Sequence, residues 1–429
     1  MARSRPPSAL VVLTAAAVAL RLWVTWRYNL VHPDTAARLL GDEPGYDYLA
    51  WSLFEGRFFD WPGRTPVYPL FLAFSYLLFG HSYAVALYVQ AVVGAAAVPL
   101  TFVLARRFTG ARAALLAAAM IAFHGPLIMY TTRLYTETLY TVLTLCTALA
   151  LTRAVSKSRA RDFVTLGGML GVLNLCRPTG ALLPFFLPLV FPPGVGSWRR
   201  ISLSAAAAAA MALVVLPWTV HNWRAHEAFI PFAPSVAVLW QGSPEFYHLW
   251  KNGRNLISIW ERELNSDVNG GHDPFTVEGD RYFTRRALDS IRGEPGVYAK
   301  YSAMKAVYLW IGNPVIDWAG GVYGWNATRR WYSLPATVGI FYSRAAFPLL
   351  MLLAIARLRN RLTPLRPLLL FPAYFTVVHA ITFAEVRYLE VLHPLLAVVI
   401  AAAADDAVRR RAASAASGAP VAALAETTS

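Results

Sequence analysis

Apolar runs long enough to enter a bilayer recur along this chain, and arginine clusters fall between alternate runs. The runs lie near 9–28, 83–105, 113–131, 138–152, 163–176, 179–193, 201–219, 335–356, 367–384 and 388–404. The clusters are Arg3/Arg5, Arg106/Arg107/Arg112, Arg153/Lys157/Arg159/Arg161, Arg199/Arg200, Arg357/Arg359/Arg361/Arg366 and Arg409–Arg411, together nearly half of the 39 Lys and Arg. Basic residues beside span ends stay on the cytoplasmic side. Placing every cluster there predicts about ten spans with both termini inside, in an all-α polytopic plasma-membrane protein. Of the 24 acids, only Asp162, Asp405, Asp406 and Glu426 are then cytoplasmic. The others gather outside, at about 29–82, 132–137, 220–334 and around Glu385.

Composition agrees with a membrane protein. Hydrophobic residues make up 57% of the 429 positions and charged residues only 15%, against about 25% charged in a soluble globule. Abundant Trp, Phe and Tyr exclude disorder. The net charge of +15 would suit nucleic acid, but its basic residues sit where they orient spans, so no nucleic-acid partner is expected. Cys146 and Cys176 lie in apolar runs and form neither a disulfide framework nor a metal-ligand spacing.

Four stretches follow: a membrane half over 1–219 that contains the first outer loop (29–82), an extracytoplasmic lid with interfacial helices over 220–334, C-terminal spans over 335–408, and a disordered cytoplasmic tail over 409–429. The first run continues past Ala15–Ala19 through Leu20, Leu22, Trp23 and Trp26, which favours a retained span over a cleaved signal peptide. Pro66–Phe79 is apolar but rises only about 21 Å, too short to span comfortably. It reads as an interfacial or re-entrant helix. Before it, Tyr46, Leu49, Ala50, Leu53 and Phe54 recur at helical spacing, predicting an amphipathic helix on the membrane surface.

The acids Asp42 and Glu43 stand in Gly41-Asp42-Glu43-Pro44-Gly45-Tyr46, between the first span and that helix. Paired carboxylates at headgroup level suit a base that deprotonates an acceptor hydroxyl. One of the pair equally suits a divalent cation, and a solvated turn is the structural alternative. Arg64, in Arg64-Thr65-Pro66-Val67-Tyr68-Pro69, can grip a phosphate or snorkel as an anchor, with Tyr68 in the aromatic belt. Glu137, four residues after Arg133, is a cavity group or a span cap. Arg387 lies at the outer interface after Glu385 and before Tyr388, placed to neutralise a phosphate. His393 falls inside the last run, facing a cavity or paired structurally. Arg177, at the turn Arg177-Pro178-Thr179, reaches the same cavity or marks a helix end.

Together these residues resemble the dolichyl-phosphate-mannose protein mannosyltransferase-like family, glycosyltransferase family 39, of GT-C fold. The marks are Asp42-Glu43 with Tyr46 and Ala50, Arg64-x-Pro66-x-Tyr68-Pro69, Phe79-Gly80, Glu137, Gly167-x-x-x-Gly171 leading to Arg177-Pro178-Thr179, and Arg387-Tyr388. The likeness covers about 9–224 and returns at about 367–400. It implies a GT-C bundle in which Asp42 is the catalytic base and Glu43 its positioning partner. It also implies that Arg64 and Arg387 contact donor phosphate. Glu137 stands where many relatives carry Asp, with a role in metal or acceptor contact. Tyr68, Tyr388 and His393 complete the substrate-binding set. Any divalent cation would rest on Glu43 and Glu137, and no other cofactor is implied. The implied reaction moves a sugar, mannose or similar, from a polyprenyl-phosphate donor to a hydroxyl of a lipid, glycan or protein acceptor, with inversion, on the extracytoplasmic face. The other partners are membrane lipids. A lipid or sugar transporter or flippase is the principal rival, and would need polar groups at the bilayer midplane. An O-antigen polymerase or ligase is a third reading, which expects a large late outer loop and no acidic pair in the first loop.

Overall fold

A computed structural model describes residues 7–235, 237–252, 259–265, 271–312, 339 and 341–417. Arg3, Arg5, residues 313–338 and the tail beyond Ser417 lie outside the described residues. All regular structure among the described residues is helical. The helices Ser8–Val31, Tyr83–Ala105, Glu137–Lys157, Ser197–His226 and Thr363–Ile381 are long and apolar enough to cross a membrane. Ala111–Ala122 and Gly125–Thr132, bent by 53°, make a sixth if they form one span.

The other predicted runs are helical too, but shorter or more charged. Ala160–Cys176 has 17 residues. Pro184 and Pro188 break the run Pro178–Val190 into short pieces. Phe347–Leu358 has 12 residues and follows directly on the π-helical turn Tyr342–Ala346, while 335–338 and 340 lie outside the described residues. His393–Ser417 is long, but Asp405, Asp406 and Arg409–Arg411 fill its second half. The expected count of ten is therefore not reached by length and apolarity alone. That last helix also makes residues 409–417 helical, where a disordered tail was expected.

Close packing has a specific cause where Ala160–Cys176 meets Ser197–His226. A Cβ at Gly167 would lie 2.2 Å from the Ala207 carbonyl oxygen, and one at Gly171 2.6 Å from Val214 Cβ. Only small residues in this Gly-x-x-x-Gly register allow the two backbones to approach so closely. The bend near 123 has its own support. Arg21, fully buried, donates to the carbonyls of Ile121 at 3.3 Å and Ala122 at 3.2 Å. Carbonyls released by a break inside the bilayer need such a donor.

The first outer loop differs from its expected form. Glu43–Ser52 is a helix, but Leu49 and Ala50 are fully buried in protein. Leu49 joins Phe59, Leu175, Val215 and Trp218 in a small core. This apolar face seals the loop onto the bundle, because neighbouring helices offer it a drier surface than the lipid headgroups do. Asp47 then ties the loop to the next span, accepting from the Tyr76 hydroxyl at 2.8 Å and the Tyr83 hydroxyl at 3.1 Å. Val67–Phe79 keeps the short length expected of it, burying Tyr68, Leu72 and Tyr76 while Leu70, Phe74 and Leu77 stay exposed.

The basic clusters converge on one end of the bundle. Arg106, Arg107, Arg153 and Lys157 border one cavity. Nearby, Arg199 donates to the Ser158 carbonyl at 3.0 Å and Arg361 pairs with Asp406 at 2.8 Å. Cysteines placed at Arg57 and Arg159 are expected to label from opposite sides of the membrane with an impermeant thiol reagent. Labelling from the same side would overturn the orientation.

Candidate active site

At the opposite end, five separate parts of the chain enclose a cavity of about 410 Å³. Three carboxylates, Asp42, Glu137 and Glu385, and three arginines, Arg64, Arg177 and Arg387, line it. Asp42 stands after Gly41, whose φ of +61° turns the chain sharply before the helix Glu43–Ser52 begins. Its carboxylate remains 33% exposed, facing the cavity. Arg64 Nη2 donates to Asp42 Oδ1 at 2.8 Å, and Arg387 Nη1 lies 3.5 Å from Oδ2. Burial pushes the Asp42 carboxyl up, but Arg64, Arg387 and Arg177 outweigh it and hold the group below its ordinary value.

Arg387 is the hub of this network. It pairs with Glu385 through Nε and reaches Glu137 Oε1 at 3.4 Å as well as Asp42. Arg177 Nη1 reaches the same Glu137 oxygen at 3.2 Å, and its guanidinium lies 4.0 Å from the Tyr388 ring centre. Aromatic faces position the remaining arginine. Phe275, Tyr46 and Trp61 lie 4.8, 5.2 and 5.8 Å from the Arg64 guanidinium. Such faces hold a planar cation while leaving its N–H groups free to bind in plane. Glu137 is 1% exposed, and its Oε2 has no hydrogen-bond partner among the described residues.

Asp42, Arg64, Glu137, Arg387 and Tyr388 thus meet at one cavity, and Arg177 joins them. Glu43 turns the other way. It accepts from the backbone amides of Leu40 and Leu134, both at 2.8 Å, and faces Arg133 at 3.4 Å. Burial raises its carboxyl above the ordinary value even though Arg133 and those amides pull it down. It ties the first outer loop to the second rather than facing the cavity. Tyr68 is buried behind Tyr46, edge to face at 4.9 Å, and donates to Gln90 Oε1 at 2.7 Å. His393 is also outside the cavity: it bonds His124 at 2.7 Å and stacks on Phe347.

A divalent cation does not fit these groups. The two metal candidates are held by different partners, Glu43 by amides and Glu137 by arginines. Among the described residues no group of three or more His, Cys, Asp or Glu is placed to hold a metal ion. Several cavity residues carried no sequence signal. Phe232–Ser235, Val238 and Gln241 come from the lid, and His379 from the end of Thr363–Ile381. Tyr135, whose ring lies 5.4 Å from the Arg387 guanidinium, was findable by its place two residues before Glu137.

Residues 63–221 match the family model described as dolichyl-phosphate-mannose-protein mannosyltransferase. This bears out the family resemblance read from the sequence. A search of curated proteins finds no match. Among solved structures, the chain is similar to the oligosaccharyltransferase AglB from Archaeoglobus fulgidus in complex with an inhibitory peptide and a dolichol-phosphate. Identity is 16%, TM-score 0.55, and coverage 96% of this chain and 52% of that one. The apo form of the Archaeoglobus fulgidus oligosaccharyltransferase gives 18%, 0.56, 96% and 52%. The chain therefore spans about half the length of these solved proteins, and the likeness establishes a GT-C-like, all-helical fold.

Proposed function

We propose, taking the mannosyltransferase-type match over 63–221 and the GT-C-like fold as the premise, that this protein is an integral-membrane glycosyltransferase. It moves a sugar, mannose or similar, from a polyprenyl-phosphate donor to an acceptor hydroxyl on the extracytoplasmic face. The observation that carries this reading is a carboxylate, Asp42, open to a cavity where three arginines converge.

In the proposed reaction Asp42 takes the proton of the acceptor hydroxyl, whose oxygen attacks the anomeric carbon from the face opposite the lipid phosphate. The bond from that carbon to the phosphate oxygen breaks, its electron pair stays on the phosphate, and the configuration inverts. Arg64, Arg177 and Arg387 neutralise the charge that develops there. Glu43 and Tyr68 act from behind the cavity, fixing the loop that presents Asp42 and the ring of Tyr46. No step is assigned to His393 or to a cation. The lid residues Phe232–Ser235, Val238 and Gln241 border the cavity and set the choice among lipid, glycan and protein hydroxyls.

The direct assay is transfer of radiolabelled sugar from a polyprenyl-phosphate donor by membranes that contain the protein. Glycans and glycolipids missing from a deletion strain identify sugar and acceptor. The arginines also make a pH prediction. They keep Asp42 ionised, so the base is lost only as pH falls through a carboxyl value below the ordinary 3.8. Stability from the same ion pairs is present above the ordinary value and is lost over that window. The acid limb of kcat/KM, which reports the free enzyme, should lie below 3.8 in membranes that regain activity at neutral pH. An acid limb at ordinary carboxylate values or higher would contradict the electrostatic account of Asp42.

A transporter would be favoured by ionisable groups facing a path through the middle of the bundle. Two such candidates are bonded to protein instead, Arg21 through Nη1 and Nη2 to backbone carbonyls and His124 to His393.

A further inference from the structure

The cavity at the basic end is larger, about 900 Å³, and the proposed reaction does not use it. Arg106, Arg107, Arg153 and Lys157 line it, with no acidic side chain among its lining residues. It lies at the far end of the span Glu137–Lys157 from the candidate active site, about 30 Å away along the helix. The arginine charges are compensated only in part. Arg107 is held by neutral oxygens, the Leu149 carbonyl at 2.6 Å and the Thr152 hydroxyl. Arg106 donates to the Thr109 carbonyl at 3.0 Å, and among the described residues only Arg153 meets a carboxylate, Asp162 at 2.8 Å. Arg106, Arg107 and Lys157 remain exposed.

Most of the rest of the wall is apolar, with the hydroxyls of Thr152, Ser156 and Thr363 set in it. Val155, Val190 and Pro367 line the cavity where three apolar helical segments end or begin. A basic mouth beside such a wall matches one ligand chemistry, a phosphate that carries an alkyl chain. A soluble phosphate would use the cations and leave the wall bare. A zwitterionic headgroup would bring its own cation against four others.

We propose that this cavity is a binding site for the phosphate of a net-anionic membrane phospholipid in the leaflet opposite the active site. The cations bind its phosphate and the apolar wall takes the start of an acyl chain. Bound lipid would fasten together the ends of Tyr83–Ala105 and Glu137–Lys157 and the start of Thr363–Ile381, all of which border this cavity. The site does not depend on the sugar-transfer reading and stands or falls separately.

The test uses the full chain purified in detergent, with native mass spectrometry and thermal unfolding. The probes are phosphatidylglycerol, phosphatidylcholine and inorganic phosphate. Phosphatidylglycerol should remain bound at one site and raise the unfolding temperature, while the other two do neither. Replacing Arg106→Gln with Lys157→Gln should weaken phosphatidylglycerol roughly 30-fold, and Arg106→Lys with Lys157→Arg should restore it. Undiminished retention by the double Gln variant would overturn the site. An equal gain from inorganic phosphate alone would make it a site for soluble anions, and an equal gain from phosphatidylcholine would remove the role of charge. If the Gln variant does not fold, photoactivatable phosphatidylglycerol on the unmodified protein decides: cross-links at 106–108 and 153–157 support the proposal, and cross-links only elsewhere refute it.

Discussion

Asp42→Asn should reduce sugar transfer by roughly 10²–10⁴-fold, the range that a positioned general base contributes. The loss belongs in kcat, because Asn keeps the shape of the side chain and removes only its capacity to take a proton. Donor binding should hold or tighten, since the variant removes an anion that competes for Arg64 and Arg387. Transfer by membranes and donor binding by purified protein separate the two effects. Full transfer by Asp42→Asn would show that another group is the base. Loss of donor binding together with transfer would show that Asp42 builds the pocket instead of acting in it.

Gly167→Ala should destabilise the protein strongly although it adds one methyl group. The new Cβ would sit 2.2 Å from a backbone carbonyl oxygen, which cannot rotate away, so the helices Ala160–Cys176 and Ser197–His226 must separate. Overpacking of this kind costs about 1–3 kcal/mol and sometimes more, and a contact against backbone belongs at the upper end. The control is the next residue. A Cβ at Gly168 meets nothing within 4 Å, so Gly168→Ala should be neutral or stabilising by helix propensity. Thermal unfolding in detergent compares the pair, and equal melting temperatures would sink the packing account. Arg177 directly follows the strained helix, so the folded fraction of Gly167→Ala should also bind donor less well.

Much of this arrangement was legible in the chain itself. Charges are costly to move through lipid, so the basic clusters mark one end of the bundle whatever the helix packing. The acids left over mark the other. Asp42, Arg64, Glu137 and Arg387 could be picked out because each is a charge beside an apolar run. Asp42 and Glu43 could not be told apart that way. The turn at Gly41 and the amides of Leu40 and Leu134 decide which of the two faces the cavity. The partner of His393 is His124, 269 positions away, and no local pattern announces such a contact. The number of spans is as hard to read locally. Runs such as Pro178–Val190 are apolar enough to look like spans, yet Pro184 and Pro188 divide this one into short helical pieces.

The equal number of carboxylates and arginines around the cavity has a bearing on turnover. The pocket is already neutralised from within, so in the proposed reaction an incoming phosphate would displace a resident anion and gain less than three free arginines would give it. That moderates donor affinity and acts again at the end of the cycle. Once the sugar has left, the lipid phosphate carries more negative charge than the donor did, and three uncompensated cations would retain it. Asp42, Glu137 and Glu385 compete for the same guanidinium groups and can retake them. In the proposed reaction the carboxylates would thus serve as built-in counter-ligands, setting the rate at which spent carrier leaves as well as the ease with which a fresh one arrives.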